Sequence, residues 1–219
     1  MDSDTFRCDL VSWEEAYRLG RVLAENIASS GYMPDLVIAI GRGGYVPARV
    51  ICDFLLHDLL TSIKIEHWGT AAQKRGKATV RFPVGIDIKG LSVLIIDDVT
   101  DTGDTLREAV AYIESLGARE AKTGVLQHKS TATFEPDYYA QYMSDWKWII
   151  YPWAVHEDLF GFTANILRQK ACSINEIRSE LARRYEIVIA TPDLMPVLED
   201  LRQKESMLQS KGIYRIEPK

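Results

Sequence analysis

The run from Ser92 to Leu106 constrains this chain more than any other stretch. An apolar, strand-forming segment, Ser92–Ile96, runs into three carboxylates within five positions, Asp97, Asp98 and Asp101, and then into a small, hydroxylated turn ahead of a helix. Carboxylates this close to a buried strand are costly unless they face solvent, a cation or hydrogen-bond donors. Side chains alternate along extended backbone, so Asp97 and Asp98 point apart and need not touch one atom. Next, Thr102, Gly103, Asp104 and Thr105 can place successive N–H groups around an anion, with Gly103 permitting a left-handed turn. A helix cap alone would account for one carboxylate and not for the cluster. Together the residues fit a phosphate next to sugar hydroxyls or hydrated Mg²⁺, a cation suited by oxygen ligands.

The flanking pattern alternates strand and helix. A helix is expected from Ser12, which has capping-box spacing to Glu15, with Ala16, Leu19, Leu23 and Ile27 on one face. A buried strand over Asp35–Ile40 leads into Gly41, Arg42, Gly43 and Gly44, and a helix over Tyr45–Leu60 tolerates Pro47 in its first turn. Further strands are expected over Thr61–Glu66, Thr123–Leu126 and Lys147–Tyr151, and a helix from Thr105 to Leu116 stopped by Gly117. The class is therefore α/β, a mostly parallel sheet flanked by helices; loops at the carboxyl ends of such strands meet at a crevice, and spacing alone leaves open whether the glycine-rich and acidic turns converge there. From Ala171 the character changes. Ser173 and Glu176 repeat the capping spacing, Thr191 and Pro192 open a longer helix, and a small appendage of two helices with a short extended end is expected.

At 219 residues and 47% hydrophobic, the chain has material for one full domain plus that appendage. The net charge of −5 weighs against a general nucleic-acid coat, and Arg178, Arg183 and Arg184 interleave with Glu176, Glu180 and Glu186 as on a solvated helix face. Three scattered cysteines make neither a disulfide scaffold nor a zinc motif, which points to a reducing, cytoplasmic setting. Met1–Arg7 does not read as a signal peptide, and no apolar stretch is long enough to span a bilayer. The triphosphatase loop GxxxxGK[ST] is missing, and Val46 occupies the third glycine place of a dinucleotide fingerprint. His128 and His156 lack companion ligands at metal spacing.

Residues Ile95 to Thr105 resemble the ribose-pyrophosphate signature of the type I phosphoribosyltransferases, and the resemblance extends from about Asp35 through Trp153. It implies a flexible hood around 66–82 and a purine-recognition segment over 127–153 within a phosphoribosyltransferase domain expected over 1–170, with the helical appendage read from the residues themselves over 171–219. It implies that Asp97 and Asp98 orient ribose hydroxyls, partly through Mg²⁺, and that the turn from Asp101 to Thr105 (Thr102, Gly103, Asp104) holds the 5′-phosphate. Asp101 would assist proton movement at the base. Arg42, with Gly43 and Gly44, would approach pyrophosphate, and Lys74 and Arg75 of the hood would neutralise it as it departs.

Lys129, followed by Trp148 in a W-x-x-x-P-W segment, resembles the bacterial xanthine–guanine branch, which implies a lysine on the exocyclic oxygen, a stacking indole and backbone recognition at Ile149. Expected partners are phosphoribosyl diphosphate, a purine base and a second copy of the chain in a homodimer, without membrane or nucleic acid. An adenine-specific enzyme and a non-catalytic sensor of the donor or of nucleotides are the alternatives.

Overall fold

The computed structural model describes residues 5–66 and 79–217. In chain order the first elements are β1 (Cys8–Leu10), α1 (Trp13–Ser29), β2 (Leu36–Gly41), α2 (Tyr45–Phe54), β3 (Leu60–Glu66) and β4 (Thr79–Phe82). Then come β5 (Ser92–Thr100), α3 (Asp104–Ser115), β6 (Glu120–Lys129), β7 (Tyr138–Met143) and β8 (Trp148–Ile150). The last are α4 (Val155–Gln169), β9 (Cys172–Ser173), α5 (Ile174–Tyr185), α6 (Thr191–Lys204), β10 (Leu208–Ser210) and β11 (Ile213–Arg215). The chain divides into two compact units, Glu14–Trp146 and Met1–Trp13 with Lys147–Lys219. The division thus falls at 146/147, and the amino-terminal strand joins the carboxyl-terminal unit; the expected boundary at 170/171 lies inside that unit.

The unit Glu14–Trp146 is built on a six-stranded sheet of order β4-β3-β2-β5-β6-β7. All neighbours are parallel except β3 and β4, which pair antiparallel. One face of the sheet, with Ile38, Ile40, Ile63, Val93, Ile95 and Val125, packs under Leu106, Ala109 and Ile113 of α3. On the other, Gly124 lies against Ile96 and Leu23 of α1, and α1 packs closely on α2 where Gly20 meets Val50. Because β2 leads outward to β3 while β5 leads the other way to β6, their diverging carboxyl ends open the crevice at which such sheets bind ligands.

Several expectations are corrected. The helix expected over Tyr45–Leu60 stops at Phe54, because Leu56 takes a left-handed φ of 52° that ends the helix and turns the chain toward β3. Strand β5, expected to end at Ile96, runs on to Thr100 and takes in the extended backbone of Asp97 and Asp98. The strand expected over Lys147–Tyr151 forms, yet it pairs in parallel with β1 in a separate two-stranded sheet and not with the main one.

The other unit has its own apolar core, with Leu159, Phe162, Ile166, Ile177, Leu181, Tyr185, Leu194, Val197 and Leu201 among its residues. The capping box at Ser173 and Glu176 is formed, with the Ser173 side chain accepting from the Glu176 N–H and the Glu176 carboxylate accepting from the Ser173 N–H. In the order α4-β9-α5-α6-β10-β11, the strand β11 lies between β10 and β9 in a three-stranded antiparallel sheet. Helix α6 exposes Pro192, Asp193, Met195, Pro196 and Glu199 and carries its basic residues, Arg202 and Lys204, in its last turn.

Glu180 ties this unit together, accepting from Lys170 at 2.8 Å, Arg183 at 2.7 Å and Arg184 at 2.7 Å. The Arg183 hydrogen bond first, then Lys170 and Arg184, lower its pKa from 4.5 to about 2 against an opposing burial effect. A depressed carboxylate pKa adds stability above 4.5 that is lost as the pH falls toward 2. Glu180→Gln is expected to cost on the order of 1 kcal/mol at pH 7, since solvent screens Lys170 and Arg183. Thermal unfolding from pH 7 down to pH 2 should show the gap between variant and parent closing as the acid limb is crossed.

Candidate active site

Three strand ends carry the site. Beyond β2, the peptide between Gly41 and Arg42 is cis, and Gly43 and Gly44 bring the backbone back onto the sheet. Gly43 lies close against Asp98: a Cβ there would lie 2.5 Å from Oδ2 and 2.6 Å from Oδ1 of its carboxylate. The loop after β2 therefore rests directly on the acidic corner of β5, and the convergence that spacing alone left open is present. Arg42 itself is exposed on this loop.

On β5, Asp97 Oδ1 accepts the Asp98 N–H at 3.0 Å. Burial first, and then the neighbouring Asp98 charge, push the Asp97 pKa well above the usual carboxylate range, while the Asp98 N–H and the Lys64 ammonium oppose that rise. A pair of carboxylates held at this cost is suited to a cation or to hydroxyl donors. Among the described residues no group of three His, Cys, Asp or Glu is placed to hold a metal. Two carboxylates suffice for Mg²⁺, which keeps waters and takes further oxygens from a phosphorylated substrate.

The turn into α3 has the expected form. Gly103 adopts φ 87° as the residue capping α3, and Phe134 lies where its Cβ would be, at 2.4 Å. The Asp104 carboxylate accepts from the Thr102 hydroxyl at 2.9 Å and from Arg107 at 2.8 Å, so its side chain braces the turn. The Asp104 N–H in turn donates to the Thr102 hydroxyl oxygen at 3.4 Å, a long bond within the same turn. A segment that sequence reasoning missed supports the turn from outside. Thr131 Oγ1 donates to the Asp101 carbonyl at 3.1 Å, and the Thr133 N–H donates to the Thr102 carbonyl at 3.0 Å.

Lys129, at the end of β6, is the third component. Its side chain is only 3% exposed, and its Nζ lies 3.3 Å from Asp101 Oδ1. Burial lowers its pKa, with the Asp101 charge opposing. A buried ammonium next to a carboxylate can offer its remaining N–H donors to a ligand carbonyl. Trp146, also missed in the sequence, donates its indole N–H to Asp101 Oδ1 at 3.1 Å and lies with its ring 5.1 Å from the Lys129 ammonium.

Trp148 and Ile149, the expected base-recognition pair, belong to the other unit, on β8. The Trp148 indole N–H donates to Asp158 at 3.1 Å and its ring packs 6.4 Å from that of Phe6; Ile149 is buried and pairs with Asp9. Lys74 and Arg75 lie outside the described residues. His128 is buried against the rings of Tyr139 and Tyr142, and burial lowers its pKa. His156 pairs with Asp200 at 3.0 Å.

The chain is similar to known proteins over the corresponding span. A family profile described as "Phosphoribosyl transferase domain" matches residues 9–158. The chain is 32% identical over 138 residues to the hypoxanthine-guanine phosphoribosyltransferase of Saccharomyces cerevisiae, covering 55% of this chain and 62% of that protein's length. It is 29% identical over 143 residues to a xanthine-guanine phosphoribosyltransferase of Desulfotalea psychrophila, covering 65% of this chain and 84% of that one. The crystal structure of a purine phosphoribosyltransferase from Pyrococcus horikoshii superposes with a TM-score of 0.58 and 31% identity, covering 67% of this chain and 93% of that one. The profile takes in the whole site described above and well over half the sequence, so the chain belongs to the type I phosphoribosyltransferase family, on its purine branch.

Proposed function

We propose that this chain transfers the 5-phosphoribosyl group of 5-phospho-α-D-ribose 1-diphosphate to N9 of a 6-oxopurine (guanine, hypoxanthine or xanthine), releasing diphosphate and a nucleoside monophosphate. The observation that carries this reading is the packing of Gly43 on the Asp98 carboxylate, which puts a glycine loop and an acidic corner at one crevice. The names of the relatives and the family profile support the same chemistry.

The N9–C1′ bond forms as the C1′–O bond breaks, and the electron pair leaves on diphosphate. Asp97 and Asp98 orient the ribose hydroxyls, and the N–H groups from Thr102 to Thr105 bind the 5′-phosphate. Arg42, Gly43 and Gly44 face the diphosphate, joined by Lys74 and Arg75. Positioning and fixed charge supply most of the rate when a sugar centre develops positive character. Mg²⁺, when bound, neutralises phosphate oxygens, and Asp97 and Asp98 would hold it directly or through water and ribose. Asp101 receives the proton that the base gives up. Lys129 donates to the exocyclic oxygen of the base. A homodimer accompanies this reading by family likeness. No helix among the described residues is long and apolar enough to cross a membrane.

An ammonium donor favours a 6-carbonyl over a 6-amino group. Assays with guanine, hypoxanthine, xanthine and adenine, with donor and Mg²⁺, should give kcat/KM at least about 100-fold higher for the preferred oxopurine than for adenine. Nucleoside monophosphate and diphosphate are measured together. Rapid use of adenine alone overturns the base assignment. Donor binding without diphosphate release overturns transfer and favours a sensor.

A further inference from the structure

Asp101 is held from three sides by its own unit. On the single oxygen Oδ1 converge the Trp146 indole N–H at 3.1 Å, the Lys129 ammonium at 3.3 Å and, more distantly, the Thr131 hydroxyl at 3.5 Å. Trp146 is fixed in turn, because its ring lies against that same ammonium. The three groups form a closed set: carboxylate to indole, indole face to ammonium, ammonium to carboxylate. Lys129 is almost wholly buried, and Trp146, on the segment after β7, is 41% exposed. The lysine is the anchor of the set and the tryptophan its outer edge.

We propose that Trp146 is a positioning residue for the reaction described above. It acts through Asp101, locking one carboxylate oxygen so that the other, Oδ2, is presented to the imidazole edge of the purine. The proposal rests on the transferase reading. A carboxylate that accepts two donors on one oxygen has its χ2 rotation restricted, and a correctly aimed proton acceptor gains rate without a change in binding. When the N9–C1′ bond forms, the base proton passes to Oδ2; Oδ1 stays on Trp146 and Lys129. Once the nucleotide has left, the proton passes to water and the carboxylate is restored. The indole is not in the reaction path and is not a catalytic residue.

Trp146→Phe keeps an aromatic face for Lys129 and removes only the N–H donor, while Trp146→His returns a ring N–H. With the preferred oxopurine, Trp146→Phe is expected to lower kcat about 10-fold with both KM values within about 2-fold, and Trp146→His to recover part of that loss. In an Asp101→Asn background, where the oriented acceptor is already gone, adding Trp146→Phe should change kcat less than about 2-fold. Thermal midpoints of the single variants should stay close to the parent's.

An unchanged kcat in Trp146→Phe, or an Asp101→Asn enzyme as fast as the parent, overturns the assignment and leaves the transferase reading standing. A lower KM for the base at unchanged kcat also overturns it, since Trp146 would then be a cover over Lys129. Full additivity of the two substitutions overturns it as well. A parent protein that turns over none of the bases removes both the assignment and the reading beneath it.

Discussion

Gly44→Ala is expected to lower the thermal midpoint by roughly 10 °C and to abolish turnover, an effect far larger than the single methyl group suggests. Gly44 has φ −72°, a conformation open to any residue, so backbone freedom is not what demands glycine here. Space is. A Cβ at Gly44 would sit 2.2 Å from the Ile96 carbonyl oxygen and 2.8 Å from both N and O of Ile40. All three atoms are backbone of adjacent central strands, and neither strand can move without breaking its ladder. The chain would have to lift the loop off the sheet, carrying Gly43 away from Asp98 and separating the two halves of the site.

Gly161→Ala is the control. Gly161 stands inside α4, and an added Cβ there would meet nothing within 4 Å. It should stabilise its helix by about 0.5–1 kcal/mol through the helix propensity of alanine. Differential scanning calorimetry and the transferase assay would read both substitutions. A Gly44→Ala protein with the parent's midpoint would show that the strands yield where the structure has them fixed.

What the sequence revealed follows from how local each signal is. The apolar run Ser92–Ile96, the turn at Gly103 and the capping box at Ser173 and Glu176 are contiguous in sequence, and each appears in place. The extension of β5 to Thr100 was hidden because strand pairing decided it: Val99 and Thr100 align with Gln127 and His128 of β6, which overrides the poor strand propensity of two adjacent aspartates. The alternative partner of β8 was hidden for the same kind of reason. Cys8–Leu10 is too short to signal a strand by itself, and only the pairing of Cys8 with Trp148 makes it one. Helix α4 had a readable signal, with Leu159, Phe162, Thr163, Ile166 and Leu167 at helical spacing, that the prominent motifs nearby obscured. Trp146 had none. Its meeting with Asp101 joins positions 45 apart in the chain, and no spacing rule encodes that.

Asp97→Asn should pull stability and activity in opposite directions. Burial and the adjacent Asp98 charge both disfavour the ionised form of Asp97 in the folded protein. An amide of nearly the same shape carries no charge to desolvate or to repel Asp98, and its side-chain oxygen can still accept the Asp98 N–H now bonded at 3.0 Å. At pH 7 the variant is therefore expected to gain about 1 kcal/mol of stability, the sign usual when an active-site charge is neutralised. Activity should move the other way, with kcat/KM for the phosphoribosyl donor falling at least about 100-fold, because an amide neither neutralises a bound cation nor accepts strongly from a ribose hydroxyl. The opposite pairing of effects, a lower midpoint with unchanged kcat/KM, would mean that the Asp97 charge is compensated inside the fold, by Lys64 above all, and is not held in reserve for substrate. The sign with Lys64 present separates these cases, and a Lys64→Met background checks it: Lys64 opposes the rise in the Asp97 pKa, so its removal should enlarge the stability gain from Asp97→Asn, whereas for a structural Asp97–Lys64 pair the loss seen with Lys64 present would shrink or reverse once Lys64 is gone.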